Sequence, residues 1–157
     1  MASSVRPVLR SDLSPMTHMY LHADTSGTEA IKVGDIVEVA TATQKVKLLE
    51  DVSASGGSKF VGIANSAWDP NANDAQLKTE IEIIGVAIVE VPVVSGSYTV
   101  GEALQYDDVA DNGTWASWEN GNQKVGWVHS CKTGTITSLK AMVDIYQQAS
   151  GFLESSS

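Results

Sequence analysis

Between residues 78 and 104 the chain is at its most apolar, and its texture is that of extended backbone. Ile81, Ile83 and Ile84 lead into Gly85, and Val86, Ile88, Val89 and Val91 run on to Pro92. β-Branched side chains lose little freedom on a pleated chain, so this run predicts strand. Gly85 falls where a bulge or sharp bend would interrupt it. Pro92 lacks an N–H, so central pairing is expected to end there or pass to an edge. The pattern predicts two consecutive strands with a corner between them. No catalytic group stands out in it.

The same short-strand texture extends on both sides. Ile36-Val37-Glu38-Val39, residues 45–49, residues 59–64, residues 98–106, Lys124-Val125-Gly126-Trp127-Val128-His129 and residues 138–146 all read as strands. Residues 41–44, 53–58, 69–74 and 107–112 are rich in turn formers. Short strands at this spacing, without a long amphipathic helical stretch, predict an all-β fold. Residues 1–31 differ. Pro7 and Pro15 punctuate them, apolar residues come in ones and twos, and neither period persists. The expected division is an extended N-terminal arm over 1–31, a β-barrel over 32–147 and a C-terminal tail over 148–157.

Three short words recur in order. Val33-Gly34-Asp35 returns as Val100-Gly101-Glu102, sixty-seven positions on. Val61-Gly62-Ile63 returns as Val125-Gly126-Trp127, sixty-four on. Ile81-Glu82-Ile83 returns as Val143-Asp144-Ile145, sixty-two on. One such match would carry nothing, but an ordered set at a near-constant offset predicts two related halves of a pseudo-symmetric barrel. The apolar stretch then joins the halves, with Gly85 and Gly101 as corners.

Charge and cysteine content narrow the function classes. Ten basic and nineteen acidic residues in 157 leave a net charge of −9. A chain this acidic without a basic cluster is a poor fit to nucleic acid, whose binding rests on neutralising phosphates, or to an anionic membrane surface. The single cysteine, Cys131, allows no internal disulfide. No secretory leader pattern or long apolar run is legible, so synthesis and assembly in a cytoplasm are expected.

Few constellations carry chemistry. Asp69, Asn71 and Asn73 with Glu80 approach a twelve-residue calcium loop, but Asp74 stands where that loop needs glycine. An Asn/Asp turn accounts for the same residues. His18 and His22, with Asp24 nearby, would share a helical face and could hold zinc. The irregular arm favours polar interface contacts instead. His129 and Cys131 alternate onto one strand face, yet a thiolate–imidazole pair needs direct contact and an orienting third group. Trp68, Trp115, Trp118 and Trp127 could form a stacking platform, with core or interface anchoring as the simpler role. No catalytic residue, metal site or cofactor is expected.

The words Val33-Gly34-Asp35-Ile36-Val37, Phe60-Val61-Gly62-Ile63-Ala64, Ile84-Gly85-Val86-Ala87, Val91-Pro92, Val100 to Tyr106, Lys124 to Val128 and Met142-Val143-Asp144-Ile145 stand in a characteristic order. That order, over residues 32–146, resembles the small β-barrel capsid decoration (cement) proteins of tailed bacteriophages, the lambda-type head decoration proteins among them. The resemblance implies a small barrel of β-tulip type with two pseudo-repeated halves and an extended N-terminal arm. It implies a non-enzymatic homotrimer on the virion's outer capsid surface, made in the host cytoplasm. Its partners would be the major capsid protein and its own copies, and it would brace the shell against internal DNA pressure. Val5, Arg6, Val8, Leu9, Arg10 and Leu13 are the arm residues expected to meet the capsid, since Arg is favoured at interfaces for bidentate carboxylate pairing. Two other classes remain open: a virion-displayed receptor- or glycan-binding module, from the tryptophans, and a small β-barrel hydrolase or isomerase.

Overall fold

A computed structural model describes residues 6–7, 17–27, 29–50, 53, 58–107 and 113–145. The described residues form ten strands: β1 (Arg6–Pro7), β2 (Thr17–His22), β3 (Ile36–Ala40), β4 (Val46–Leu48), β5 (Ser58–Ala64), β6 (Glu80–Gly96), β7 (Ala103–Asp107), β8 (Thr114–Ser117), β9 (Gly126–Ser130) and β10 (Ile136–Asp144). The fold is all-β with a closed five-stranded barrel and additional strands. The ring runs β6–β8–β7–β9–β10 and returns to β6. Its seam is one parallel pair, Val93 with Trp115.

The first half repeats this arrangement. β2 pairs with the start of β6, β6 with β5, β5 with β3, and β3 with β4. A single parallel bridge between Ala23 and Val46 returns β4 to the residue after β2. The registers match pair for pair. Leu21 faces Ile81 as Val91 faces Leu139. Val37 faces Gly62 as Leu104 faces Gly126. Val39 faces Val46 as Tyr106 faces Trp115. Ala64 faces Ile83 as Val128 faces Ala141. The corners match too. The Gly34 and Gly101 N–H groups, both at left-handed φ (96° and 91°), donate to Ala64 O at 2.8 Å and Val128 O at 2.9 Å. In return Ala64 and Val128 donate to Asp35 O and Glu102 O. Glycine enters that backbone region without a Cβ penalty.

Three expectations change. First, β6 is one unbroken strand of 17 residues, not two strands with a corner at Gly85. Its front half belongs to the first barrel and its back half to the second. Gly85 stays extended because its missing side chain makes room: a Cβ there would sit 2.9 Å from Ile145 Cδ1 and 3.0 Å from Met19 Cε. Pro92 ends the regular ladder, since pairing with β10 shifts register between Ser138–Pro92 and Ile136–Gly96. Second, the third repeated word is displaced. Pairing puts Ile83-Ile84 in the place of Ala141-Met142, a fifty-eight-residue offset rather than sixty-two. Third, Thr17–His22 is a strand of the first barrel, and Ala23 and Ile31 are buried beside it. The barrel therefore starts well before residue 32. Residues 1–5, 8–16 and 146–157, with about half of the expected arm and all of the tail, lie outside the described residues.

Two apolar clusters fill the halves. Ala23, Val37, Val39, Val46, Leu48, Ile81 and Ile83 line the first barrel. Val89, Val91, Val93, Leu104, Tyr106, Trp115 and Val128 line the second. Period-2 alternation along β6 turns residues 81, 83, 87, 89, 91 and 93 inward in succession, so one strand feeds both interiors. Ile36, Leu49, Phe60, Ile63 and Ile84 come from the first half but join the second cluster, which packs the barrels together. The Phe60 N–H donates to Gln123 Oε1 at 2.9 Å and fixes the same junction.

Candidate interaction surfaces

The N-terminal strands lie along one edge of β6. Glu90 pairs with both Arg6 and Lys140, and Val86 with both Thr17 and Asp144. β1 and β2 must therefore occupy the edge opposite β10. Of the residues expected to meet a capsid, Arg6 stands in β1, in register with Glu90. Val5, Val8, Leu9, Arg10 and Leu13 fall outside the described residues.

The pseudo-symmetry exposes a difference between the two halves. β2 plays the part in the first barrel that the back of β6 plays in the second, so Met19-Tyr20 corresponds to Val89-Glu90. At Val89-Glu90 the outer edge carries β1. At Met19-Tyr20, among the described residues, no strand pairs with it, and Tyr20 is 60% exposed. An open strand edge presents unpaired backbone donors and acceptors to any extended segment. β2 is Thr-His-Met-Tyr-Leu-His and carries no lysine or proline of the kind that guards edges. Two of its side chains reach the neighbouring stretch: His18 Nδ1 contacts the Glu82 carboxylate of β6, and His22 Nδ1 lies 2.7 Å from Oγ1 of Thr79, just before β6. The sequence reading missed this edge because β2 shares no residue pattern with its apolar counterpart.

Exposed apolar groups sit at matching corners. Val33 and Val100, at equivalent positions before Gly34 and Gly101, are 55% and 63% exposed, and Leu77 is 86% exposed. The other candidates dissolve into structure. Asp69 Oδ1 accepts the Asn71 N–H at 2.8 Å in a turn, and Asp74 pairs with Lys78 at 2.8 Å, four residues on. No group of three or more His, Cys, Asp or Glu among the described residues could hold a metal ion. The thiol of Cys131 donates to Tyr98 O at 3.3 Å, while His129 is exposed. Trp68 and Trp115 are buried, Trp68 donating to Ala75 O at 3.1 Å. Trp118 donates to Asn122 O at 2.8 Å and lies under the Lys124 ammonium, 4.4 Å from the ring centre. The four tryptophans thus make no shared platform.

One cavity opens at the first barrel. It measures about 320 Å3 and has Ile31, Val46, Leu48 and Trp68 among its walls. Asp24, Glu29, Lys47 and Glu50 stand around it. Lys47 Nζ lies 3.3 Å from Oε1 of the fully buried Glu38 and 3.4 Å from Glu50 Oε2. Burial works against its charge, but hydrogen bonding and attraction from Glu38 and Glu50 together outweigh that and hold its pKa above the ordinary lysine value. The Ser26 hydroxyl and N–H both donate to Asp24 Oδ1, which holds that carboxyl below its usual range. No family model and no curated protein matches the chain.

Proposed function

We propose that this protein is a capsid decoration protein of a tailed phage, binding the outer surface of the head and stabilising the major capsid lattice as a trimer. The observation that carries the reading is the pair of equivalent strand edges, one holding β1 and the other, at β2, with no strand paired to it among the described residues. A surface of this kind takes up extended segments by backbone pairing, which is how a small rigid body can clasp a shell. A strand as short as β1 is cheap to redeploy, since each ordered residue loses roughly 1–2 kcal/mol of backbone entropy that only new contacts offset. Three modest contacts per trimer gain avidity on a repeating lattice. The acidic composition suits crowding on a particle surface, and the exposed Val33 and Val100 corners supply apolar contact points. The word order noted above adds family resemblance to this physical reading.

The test is cosedimentation with expanded, undecorated heads built from the major capsid protein encoded with this chain. The full chain should saturate the heads and raise their resistance to heating. A chain lacking residues 1–16 should stay folded and bind far more weakly. Failure of the full chain to associate with the heads would overturn the assignment. Undiminished binding of the shortened chain would remove the arm from it.

A further inference from the structure

The two barrels differ at one equivalent pair of positions on the seam, Val46 and Trp115. Both stand opposite matching residues, Val39 and Tyr106, and both close the seam, against Ala23 and Val93. In the second barrel the Trp115 indole is fully buried and fills the interior against Gly126, 3.3 Å from where a Cβ would stand. In the first barrel valine supplies far less volume. Trp68, from the loop after β5, closes the end instead, held by its pairing with Ile31. The cavity of about 320 Å3 described above opens beside Val46 and Trp68, with Asp24, Ser26, Glu29 and Glu50 also in its lining.

We infer that this cavity is a binding site for a primary alkylammonium group, as carried by a lysine side chain or an aliphatic diamine. Ile31, Val46, Leu48 and Trp68 give one part of a mixed lining an apolar character that suits a methylene stem. The mouth is anionic on balance, with Asp24, Glu29 and Glu50 against Lys47. Lys47 is engaged by Glu38 and Glu50, whereas Glu29 has no cation partner among the described residues. A partly apolar cavity with a carboxylate at its rim discriminates by charge at the tip and by shape along the stem. An anion would meet the same carboxylates as repulsion. This inference rests on the barrel geometry alone and is independent of the capsid reading.

Calorimetric titration of the full chain tests it, with n-pentylamine, cadaverine and a lysine-containing tripeptide as amines and 1-pentanol as the neutral analogue. The amines should bind with dissociation constants below about 1 mM, a scale set by the few atoms available for contact. 1-Pentanol should bind at least about tenfold more weakly, and added salt should narrow the difference. Preference for the tripeptide would identify a partner's lysine as the source, and preference for cadaverine a free diamine. Val46→Trp, which installs the residue of the second barrel, should abolish binding while circular dichroism stays unchanged. Should that variant not fold, the exposed pair Glu29→Gln and Glu50→Gln should weaken amine binding and leave 1-pentanol unaffected. Equal affinity for amine and alcohol, amine binding retained in a folded Val46→Trp chain, or no amine binding near 10 mM would each overturn the inference.

Discussion

Gly62 and Gly126 hold the same post in the two barrels: a Cβ on either would run into a backbone carbonyl of the next strand, Ile84 O at 2.2 Å and Met142 O at 2.5 Å. Each glycine lets two strands approach closely, β5 and β6 in one half and β9 and β10 in the other. Backbone cannot step aside as a flexible side chain can. Gly62 also holds φ at +139°, a conformation that L residues rarely adopt.

Alanine at these sites should therefore cost unequally. Gly62→Ala combines a clash with backbone strain and should lose about 3 kcal/mol or more. Gly126→Ala carries the clash alone and should lose about 2 kcal/mol. Gly85→Ala meets only the ends of Ile145 and Met19, which can rotate away, and should lose about 1 kcal/mol. Urea unfolding gives the order, and a Gly85 variant worse than Gly62 would refute the account of both.

Gln44 and Gly113 offer a second internal comparison. Both precede the strand that crosses the seam, β4 and β8, and both have left-handed φ, 59° and 66°. Gly113 takes that conformation freely, while Gln44 pays a steric cost relieved in part by its Nε2 bond to Thr41 O at 2.7 Å. Gln44→Gly should stabilise the chain by about 0.5 kcal/mol, less than the strain removed because glycine has more freedom to lose. A drop in melting temperature would show that the side-chain bond outweighs the strain.

The glycine corners were legible because glycine is required there by backbone geometry, and Gly34, Gly62, Gly101 and Gly126 repeat as written words. What failed to read out is set by pairing rather than by residue type. The third word lay four residues away from the true match because Ile83-Ile84 and Ala141-Met142 share a place in the ladder, not letters. β2 was invisible for the same reason: Thr17–His22 becomes a strand only because the front of β6 offers it an edge. The unbroken course of β6 through Gly85 depends on Met19 and Ile145, contacts distant in sequence. The cavity appears only when Val46 is set against Trp115, a comparison that needs the register of both barrels.

Asp35 gives a pH prediction. Burial raises its carboxyl above the ordinary aspartate value, and the Lys32 N–H bond at 2.8 Å and the Lys32 charge offset part of that rise. The folded chain thus holds this proton more tightly than the unfolded chain does. Its contribution is fully present below the unfolded pKa and is lost as pH rises through the folded one. Asp35→Asn keeps an acceptor for Lys32 and removes the titration. The stability of the native chain relative to Asp35→Asn should fall from about pH 4 toward pH 7, as followed by urea unfolding at fixed ionic strength. A relative gain over that range would mean that the buried carboxylate is favoured.

Removing the N-terminal residues should have two distinct outcomes, divided at Thr17. Loss of residues 1–16 deletes β1, a strand of two residues, and leaves in place every pairing that closes the two barrels among the described residues. Loss of residues 1–30 deletes β2 as well, with its six register pairs to β6, the Ala23–Val46 seam and the buried Ala23. That opens the first barrel and bares the edge of β6 from Glu80 to Val86, whose isoleucines make it an aggregation template. The shorter deletion should melt within a few degrees of the full chain. The longer one should aggregate or lose cooperative unfolding of the first half, seen as fast amide exchange at β3, β4 and β5 while β7 to β10 stay protected. A cooperative, soluble chain beginning at Ile31 would mean that the second barrel alone organises the fold and that β2 is a passenger on β6.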